Sequence, residues 1–317
     1  MAVLQGDIKF PESLQRRLDE NYDVVFEHDV ENLKRRRDEI LAIVVYYNKP
    51  SKEKLNELID DLPNVRAIVN HGVGVNNIDL EAAKARGVQV SNLSGAEVSV
   101  ADFAFALILA AARNVVQGHA RSHNPMFTKI DFDWLGKEVS ESAIGIVGMG
   151  RIGTEVAKRA TQGFNMKVMY YNRKRRPLDE EISVRATYCE SLNELLGNVD
   201  FVVVTVPGGK ETSKMFGWDQ FCAMKETAMF INVSRGSVVD QEALVRALKE
   251  KKIAGAALDV TDPEPLPCDH PLLTMDNVLI TPHIASSTAT TRKLMFEVFL
   301  QNVDAALQGK ELPNRVI

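Results

Sequence analysis

The sequence predicts an α/β protein built from two doubly wound parallel-sheet domains. Three observations carry that prediction. Short apolar, β-rich runs alternate with polar, helix-prone segments, the order expected when helices cover both faces of a parallel sheet. At 317 residues the chain has room for about two domains. One stretch, Ala143-Ile144-Gly145-Ile146-Val147 followed by Gly148-x-Gly150-x-x-Gly153, reads as an apolar strand, a glycine turn and a helix opening at Thr154. Gly148 allows the tight turn, Gly150 admits a pyrophosphate, and Gly153 lets the helix lie close to the sheet. The helix N-terminus adds free N–H groups for the phosphates. A dinucleotide is the ligand this pattern takes.

Composition sets outer bounds. A hydrophobic fraction of 45% and a charged fraction of 26% are ordinary for a globular domain. A net charge of −5 provides no basic face for nucleic acid. Cys189, Cys222 and Cys268 are scattered, with no C-x-x-C pair, which favours a reducing compartment over a disulfide framework or a zinc site. The N-terminus has no signal-peptide core, and residues 103–112 are apolar but too short to span a bilayer. A cytoplasmic enzyme without membrane or metal is the expectation.

Taken in order, residues 22–26, 42–46, 67–69 and 88–90 are strands of a first, smaller α/β unit, with helices at 52–60 and 79–86. Asp79 is the candidate N-cap and Gly87 the candidate stop of the second helix. Asn70-His71-Gly72-Val73-Gly74-Val75-Asn76 follows a strand, and its glycines suit close approach of backbone to a ligand. Residues 96–116 form one long helix candidate, apolar nearly all round, which belongs in a core or a subunit interface. His119 and His123 share a helix face, but no Glu sits between them in a zinc pattern and no third ligand suggests itself, so they are read as surface histidines. Residues 125–142, with Pro125, Trp134 and Gly136, connect into the nucleotide domain. Its strands are expected at 144–147, 168–171, 201–206, 229–233, 256–260 and 278–281, with a helix at 241–251. The helical stretch 288–307 is expected to return to the first domain. The domains are therefore 1–97 completed by 289–317, and 98–288.

Position 172 bears on the cofactor. An acid about 20 positions past the glycine loop would accept a ribose hydroxyl and favour NAD. Asn172 stands there instead, followed by Arg173, Lys174, Arg175 and Arg176. With no carboxylate to repel a 2′-phosphate and several cations to neutralise it, NADPH is preferred, with NADH possible.

Three further residues follow strands on the edge that carries the glycine turn: Arg235 in Asn232-Val233-Ser234-Arg235-Gly236, Glu264 in Asp262-Pro263-Glu264-Pro265, and His283 in Thr281-Pro282-His283-Ile284-Ala285. Hydride transfer to a 2-keto acid builds negative charge on the carbonyl oxygen, and a proton must arrive there. Histidine suits that general acid. Glu264 on the other ring nitrogen would favour the imidazolium and fix its orientation. Arg235 offers a planar fork to a carboxylate and would polarise the carbonyl.

The runs GIVGMGRIG, FINVSRG, AALDVTDPEPLP and ITPHIASST, in that order and spacing, resemble the D-2-hydroxyacid dehydrogenase family. TVPGGKET and MKETAMFINVSRG are most similar to its glyoxylate/hydroxypyruvate reductase branch. The resemblance implies a flavodoxin-like substrate domain plus a Rossmann NAD(P)-binding domain, a homodimer through the 96–116 region, an active site between domains, and NADPH-dependent reduction of glyoxylate or hydroxypyruvate. It implies that Arg235, Glu264 and His283 are substrate arginine, supporting acid and proton donor, and that Val73 and Gly74 hold the substrate carboxylate through backbone N–H groups. Gly148, Gly150, Arg151, Ile152, Gly153, Asn172, Arg173, Lys174, Arg175, Arg176, Pro207, Val233, Asp259, His283 and Ala285 fall at cofactor-contacting positions, with Asp259 bonding the nicotinamide amide. Trp134 lies near where reductases of this group present a tryptophan to the partner subunit; an anchor for the connecting loop is the favoured alternative. Gly208-Gly209-Lys210 departs from the family's run after that strand. The loop around His71 varies among reductases of glyoxylate, 2-ketogluconate and hydroxyphenylpyruvate, so those acids stay open as substrates. A nucleotide-sensing binding protein like the C-terminal-binding corepressors is the alternative of another class.

Overall fold

The structure is a computed structural model that describes residues 2–6, 10–46, 49–123 and 134–317. Pro125 and half of the expected connector lie outside the described residues. The chain divides into two units, Met1–Ala96 with Thr288–Ile317, and Glu97–Ser287.

In the first unit β1 (Ala2–Gln5), α1 (Glu12–Asn21), β2 (Asp23–Phe26), α2 (Val30–Arg36), β3 (Ile40–Val45), α3 (Lys52–Asp61), β4 (Ala67–Asn70), α4 (Leu80–Ala85) and β5 (Gln89–Ser91) alternate strictly. All strand pairs are parallel, in the order β2-β1-β3-β4-β5. β1 is a strand the sequence reading missed, because four residues at a terminus carry too little periodicity. It is buried throughout, and Gln5 satisfies its amide through a reciprocal pair with Gln15 at 3.0 and 3.1 Å. α4 starts where Asp79 accepts from Ala82 N, and it stops at Gly87 with φ +69°.

The second unit comprises α5 (Glu97–Ala112), α6 (Val115–Ser122), β6 (Ala143–Val147), α7 (Arg151–Phe164), β7 (Lys167–Tyr171), α8 (Leu178–Ser183), β8 (Ala186–Tyr188), α9 (Leu192–Asn198), β9 (Phe201–Val204), α10 (Trp218–Ala223), β10 (Met229–Asn232), α11 (Gln241–Lys249), β11 (Gly255–Leu258) and β12 (Val278–Ile280). Its sheet is parallel, in the order β12-β11-β10-β9-β6-β7-β8. The order reverses between β6 and β9, so the glycine turn after β6 opens at the switch point where such sheets bind ligands. α12 (Ala289–Leu307), capped by Thr288, packs on β3 and β4 of the first unit.

The single helix expected over 96–116 is two helices. Asn114 takes a left-handed φ of 50° and breaks the run between α5 and α6. α5 packs against α7, β10 and β11, which explains its apolar character as core. Val98, Val115 and Val116 stay exposed. Among the described residues no single helix is long and apolar enough to cross a membrane.

Candidate active site

The glycine turn is built as its spacing requires. Gly148 has φ +104°, and its N–H donates to Tyr171 O at 3.0 Å. A Cβ on Gly153 would collide with the Gly148 carbonyl, whereas a Cβ on Gly150 would meet nothing within 4 Å. The space above Gly150 is therefore open. α7 has no side-chain cap. Among the described residues the N–H groups of Arg151, Ile152 and Gly153 donate to no protein acceptor. An uncapped helix N-terminus under open space fits a pyrophosphate.

The residues after β7 correct the sequence reading. Asn172 does not stand free: its Oδ1 accepts from Met149 N at 2.7 Å and pins the glycine turn. Nor are carboxylates absent. Arg173 pairs with Glu211, Arg175 with Glu181 at 2.8 Å, and Arg176 with Glu180. Glu181 is buried and also accepts from Tyr170 Oη at 2.5 Å. Arg175 first, then the tyrosine hydroxyl, hold its carboxyl down at about 2. Arg175 is thus committed to the fold. Arg151 likewise faces a carboxylate, Glu97, at 3.3 Å.

The three loops after β10, β11 and β12 bring the proposed catalytic side chains to one edge of three adjacent strands. His283 Nδ1 lies 2.6 Å from Glu264 Oε1, with both side chains about two-fifths exposed (43% and 41%). Partial burial raises the Glu264 pKa. The hydrogen bond and charge of His283, the Thr261 N–H and Arg235 outweigh it and hold the carboxyl below its ordinary value. Arg235 is half-buried, and its Nη1 donates to Ser234 O at 2.6 Å. Among the described residues no carboxylate lies within ion-pair distance of it. Burial lowers its pKa, and Glu264 partly restores it. Most of the guanidinium fork is left for an anion.

Asp259 explains how His283 is held. Its buried carboxylate accepts from Thr281 Oγ1 (2.7 Å), Ile284 N (2.9 Å) and Ala285 N (2.9 Å), and its carbonyl accepts from His283 N (2.9 Å). These bonds fix His283 in a left-handed conformation, φ 52°. The Asp259 carboxylate is thus largely engaged by the loop after β12. Val233 is buried beside Ser234, and the Pro207 carbonyl accepts from Thr212 Oγ1 at 2.7 Å. Trp134 is half-buried beside α6, its ring 3.1 Å from a Cβ built on Gly118 and 4.6 Å below the Arg121 guanidinium.

In the first unit, the loop after β4 presents N–H groups because its carbonyls are tied. Asn70 donates to the carbonyls of Gly72 (3.3 Å) and Gly74 (2.7 Å), and Asn92 donates to that of Val73 (2.9 Å). Among the described residues the N–H groups of Val73 and Gly74 donate to no protein acceptor. His71 meets the rings of Phe10, Tyr46 and Phe299 edge-on, with centroids 5.2–5.4 Å apart. Among the described residues neither of its buried ring nitrogens has a hydrogen-bond partner. Burial pushes its pKa down to about 4.

Comparison with known proteins decides the family. The sequence model of the D-isomer specific 2-hydroxyacid dehydrogenase, NAD binding domain, matches residues 105–285. The chain belongs to the D-2-hydroxyacid dehydrogenase family. It is 42% identical to glyoxylate/hydroxypyruvate reductase B of Escherichia fergusonii over 95% of this chain and 93% of that protein. It is 43% identical to a glyoxylate reductase of Korarchaeum cryptofilum over 82% of this chain and 78% of that one. A solved NADPH-dependent glyoxylate/hydroxypyruvate reductase of Sinorhizobium meliloti, in complex with NADP and malonate, aligns with a TM-score of 0.87 at 29% identity, covering 99% and 96% of the two chains. As a member of this family the chain is an oxidoreductase with a nicotinamide-cofactor domain.

Several residues that shape this dehydrogenase's loops carried no sequence signal. Gly236 packs so closely on Thr261 that a Cβ would be driven into the Thr261 carbonyl. Asn232 donates to the Arg235 carbonyl (3.0 Å) and accepts from Ser234 N (3.0 Å), setting the Arg235 turn. Gln241 brackets the backbone of Asp262. Asn70 and Asn92 are of the same kind: polar residues at strand ends whose partners are distant in sequence or on an irregular loop.

Proposed function

We propose that this chain is an NADPH-dependent reductase of a small 2-keto acid, glyoxylate or hydroxypyruvate, giving the D-2-hydroxy acid. The observation that carries the reading is the 2.6 Å contact between His283 Nδ1 and Glu264 Oε1, together with a half-buried Arg235 that has no carboxylate within ion-pair distance among the described residues. The activities named for the Escherichia and Korarchaeum relatives support the substrate class, and the NADP complex of the Sinorhizobium enzyme supports the cofactor.

The bound nicotinamide supplies the hydride. The chain supplies the rest. With Nδ1 engaged by Glu264, Nε2 is the nitrogen of His283 that carries a proton to the carbonyl oxygen. Glu264 keeps the ring oriented and stabilises its protonated form. Arg235 binds the substrate carboxylate and draws charge from the carbonyl. The N–H groups of Val73 and Gly74 are assigned to the same carboxylate. The turn Gly148 to Gly153 and the N–H groups that open α7 are assigned to the pyrophosphate, and Arg173 with Lys174 to a 2′-phosphate. Exposed Val98, Val115 and Val116 support a homodimer through this region. Three unpaired cysteines suit a cytoplasmic setting.

The test is a panel of glyoxylate, hydroxypyruvate, 2-ketogluconate and hydroxyphenylpyruvate, each with NADPH and NADH. The highest kcat/KM is expected for glyoxylate or hydroxypyruvate with NADPH. Protein that binds NADPH yet oxidises none with any of these acids would overturn the reading in favour of a nucleotide-sensing role.

A further inference from the structure

We infer that Glu211 moderates the preference for NADPH over NADH by placing a carboxylate on Arg173, the cation nearest the ribose-reading position. The inference rests on the assignment of Arg173 to the adenosine end of the cofactor.

In doubly wound dinucleotide sheets an acid at the end of the second strand accepts the ribose hydroxyl. Here that position is Asn172, and its side chain is committed to Met149 N. The next residue, Arg173, is therefore tied to the glycine turn by one peptide unit. Glu211 arrives from a different place in the chain, the turn after β9. That turn is tightly made: Gly209 has φ +151°, its carbonyl accepts from Ser213 N at 2.9 Å, and Thr212 Oγ1 donates to Pro207 O at 2.7 Å. The carboxylate of Glu211 forms an ion pair with the Arg173 guanidinium, and the two side chains are 71% and 75% exposed. The pair is open to solvent and so to a ligand.

Arg175 and Arg176 are engaged elsewhere. Arg175 is held by the buried Glu181, and Arg176 by Glu180 one helical turn along α8. Among the described residues Arg173 is the one cation of this run that pairs with a carboxylate lying beyond α8. Glu211 thereby returns, through space, the acid that position 172 lacks. A carboxylate accepts a hydrogen bond from a ribose 2′-hydroxyl. It repels a 2′-phosphate, which carries a charge of about −1.5 to −2 at neutral pH. Glu211 thus opposes the preference for NADPH that the basic run confers, and it lets NADH compete.

The test is Glu211→Gln. Kd values of the purified protein for NADPH and for NADH, read from cofactor fluorescence without substrate, are combined with kcat/KM for both. E211Q is expected to raise the NADPH-to-NADH ratio about tenfold, equivalent to about 1.4 kcal/mol, chiefly by tightening NADPH. Glu180→Gln, which removes a carboxylate from Arg176, is expected to move the ratio by less than about threefold. Equal changes for both cofactors in E211Q, no change, or a shift in E180Q as large as in E211Q would overturn the inference. A wild-type protein that prefers NADH, with the ratio still rising in E211Q, would correct the proposed cofactor and leave this inference standing. A wild-type preference for NADPH with an unmoved ratio in E211Q would do the reverse.

Discussion

A few side chains hold positions that their own preferences would not select. His283 sits in the left-handed region, which costs a non-glycine residue about 1–3 kcal/mol, and the bonds from the Asp259 loop hold it there. Arg235 is different: its cost is desolvation, and an anion would relieve it. Arg235→Lys keeps the charge but loses the fork, so kcat/KM for the 2-keto acid should fall by about tenfold or more while the Kd for NADPH stays unchanged. Unchanged KM and kcat would remove Arg235 from the substrate. His71 makes a prediction about stability. The folded protein keeps it neutral down to about 4, whereas the unfolded chain takes up its proton near 6.5. Between those values the unfolded state binds the extra proton, so stability falls as pH falls through this window, by on the order of 3 kcal/mol in total. Denaturant unfolding followed from pH 7 to pH 4 checks this, and His71→Phe should flatten the curve.

At the scale of elements, the catalytic edge depends on how closely two loops approach. Gly236 follows Arg235, and its Cα hydrogen faces the Thr261 backbone, three residues before Glu264. Gly236→Ala should push these loops apart, cost about 1–3 kcal/mol of stability, and lower kcat by about tenfold or more with the overall circular-dichroism spectrum retained. Wild-type kcat in this variant would show that the approach is not needed. The buried strands of the second unit were legible in the sequence because a parallel strand covered on both faces reads as a continuous apolar run. β8 was not legible, since Ala186-Thr187-Tyr188 lies at the sheet edge and is only partly buried. The break between α5 and α6 was missed because apolar residues continue past Asn114, and only its backbone angle marks the turn.

Over the whole molecule, alternation of strand and helix was enough to indicate two parallel sheets, and the glycine spacing indicated which of them receives the dinucleotide. Arg235, Glu264 and His283 were legible as candidates because each lies on a loop that follows a strand, on the edge where such sheets carry their chemistry. The charge balance around the cofactor was not legible. Arg173 meets Glu211 only when the turn after β9 comes beside the end of β7, and Glu181 meets Arg175 only because α8 folds back on its own loop. A run of cations says nothing about which of them are already paired. The role of Asp259 was hidden for a related reason, since its partners are backbone N–H groups of a loop more than 20 residues away.

In the proposed mechanism His283, oriented by Glu264, delivers the proton in reduction of a 2-keto acid. The most direct measurement is the steady-state rate of NADPH oxidation with hydroxypyruvate, wild type against His283→Ala, with NADPH binding measured on both proteins. The wild type is expected to turn over, and the variant to bind NADPH normally while kcat falls by about 10²–10⁴. A variant that oxidises NADPH as fast as the wild type, or a wild type that binds NADPH and reduces nothing, would contradict this mechanism.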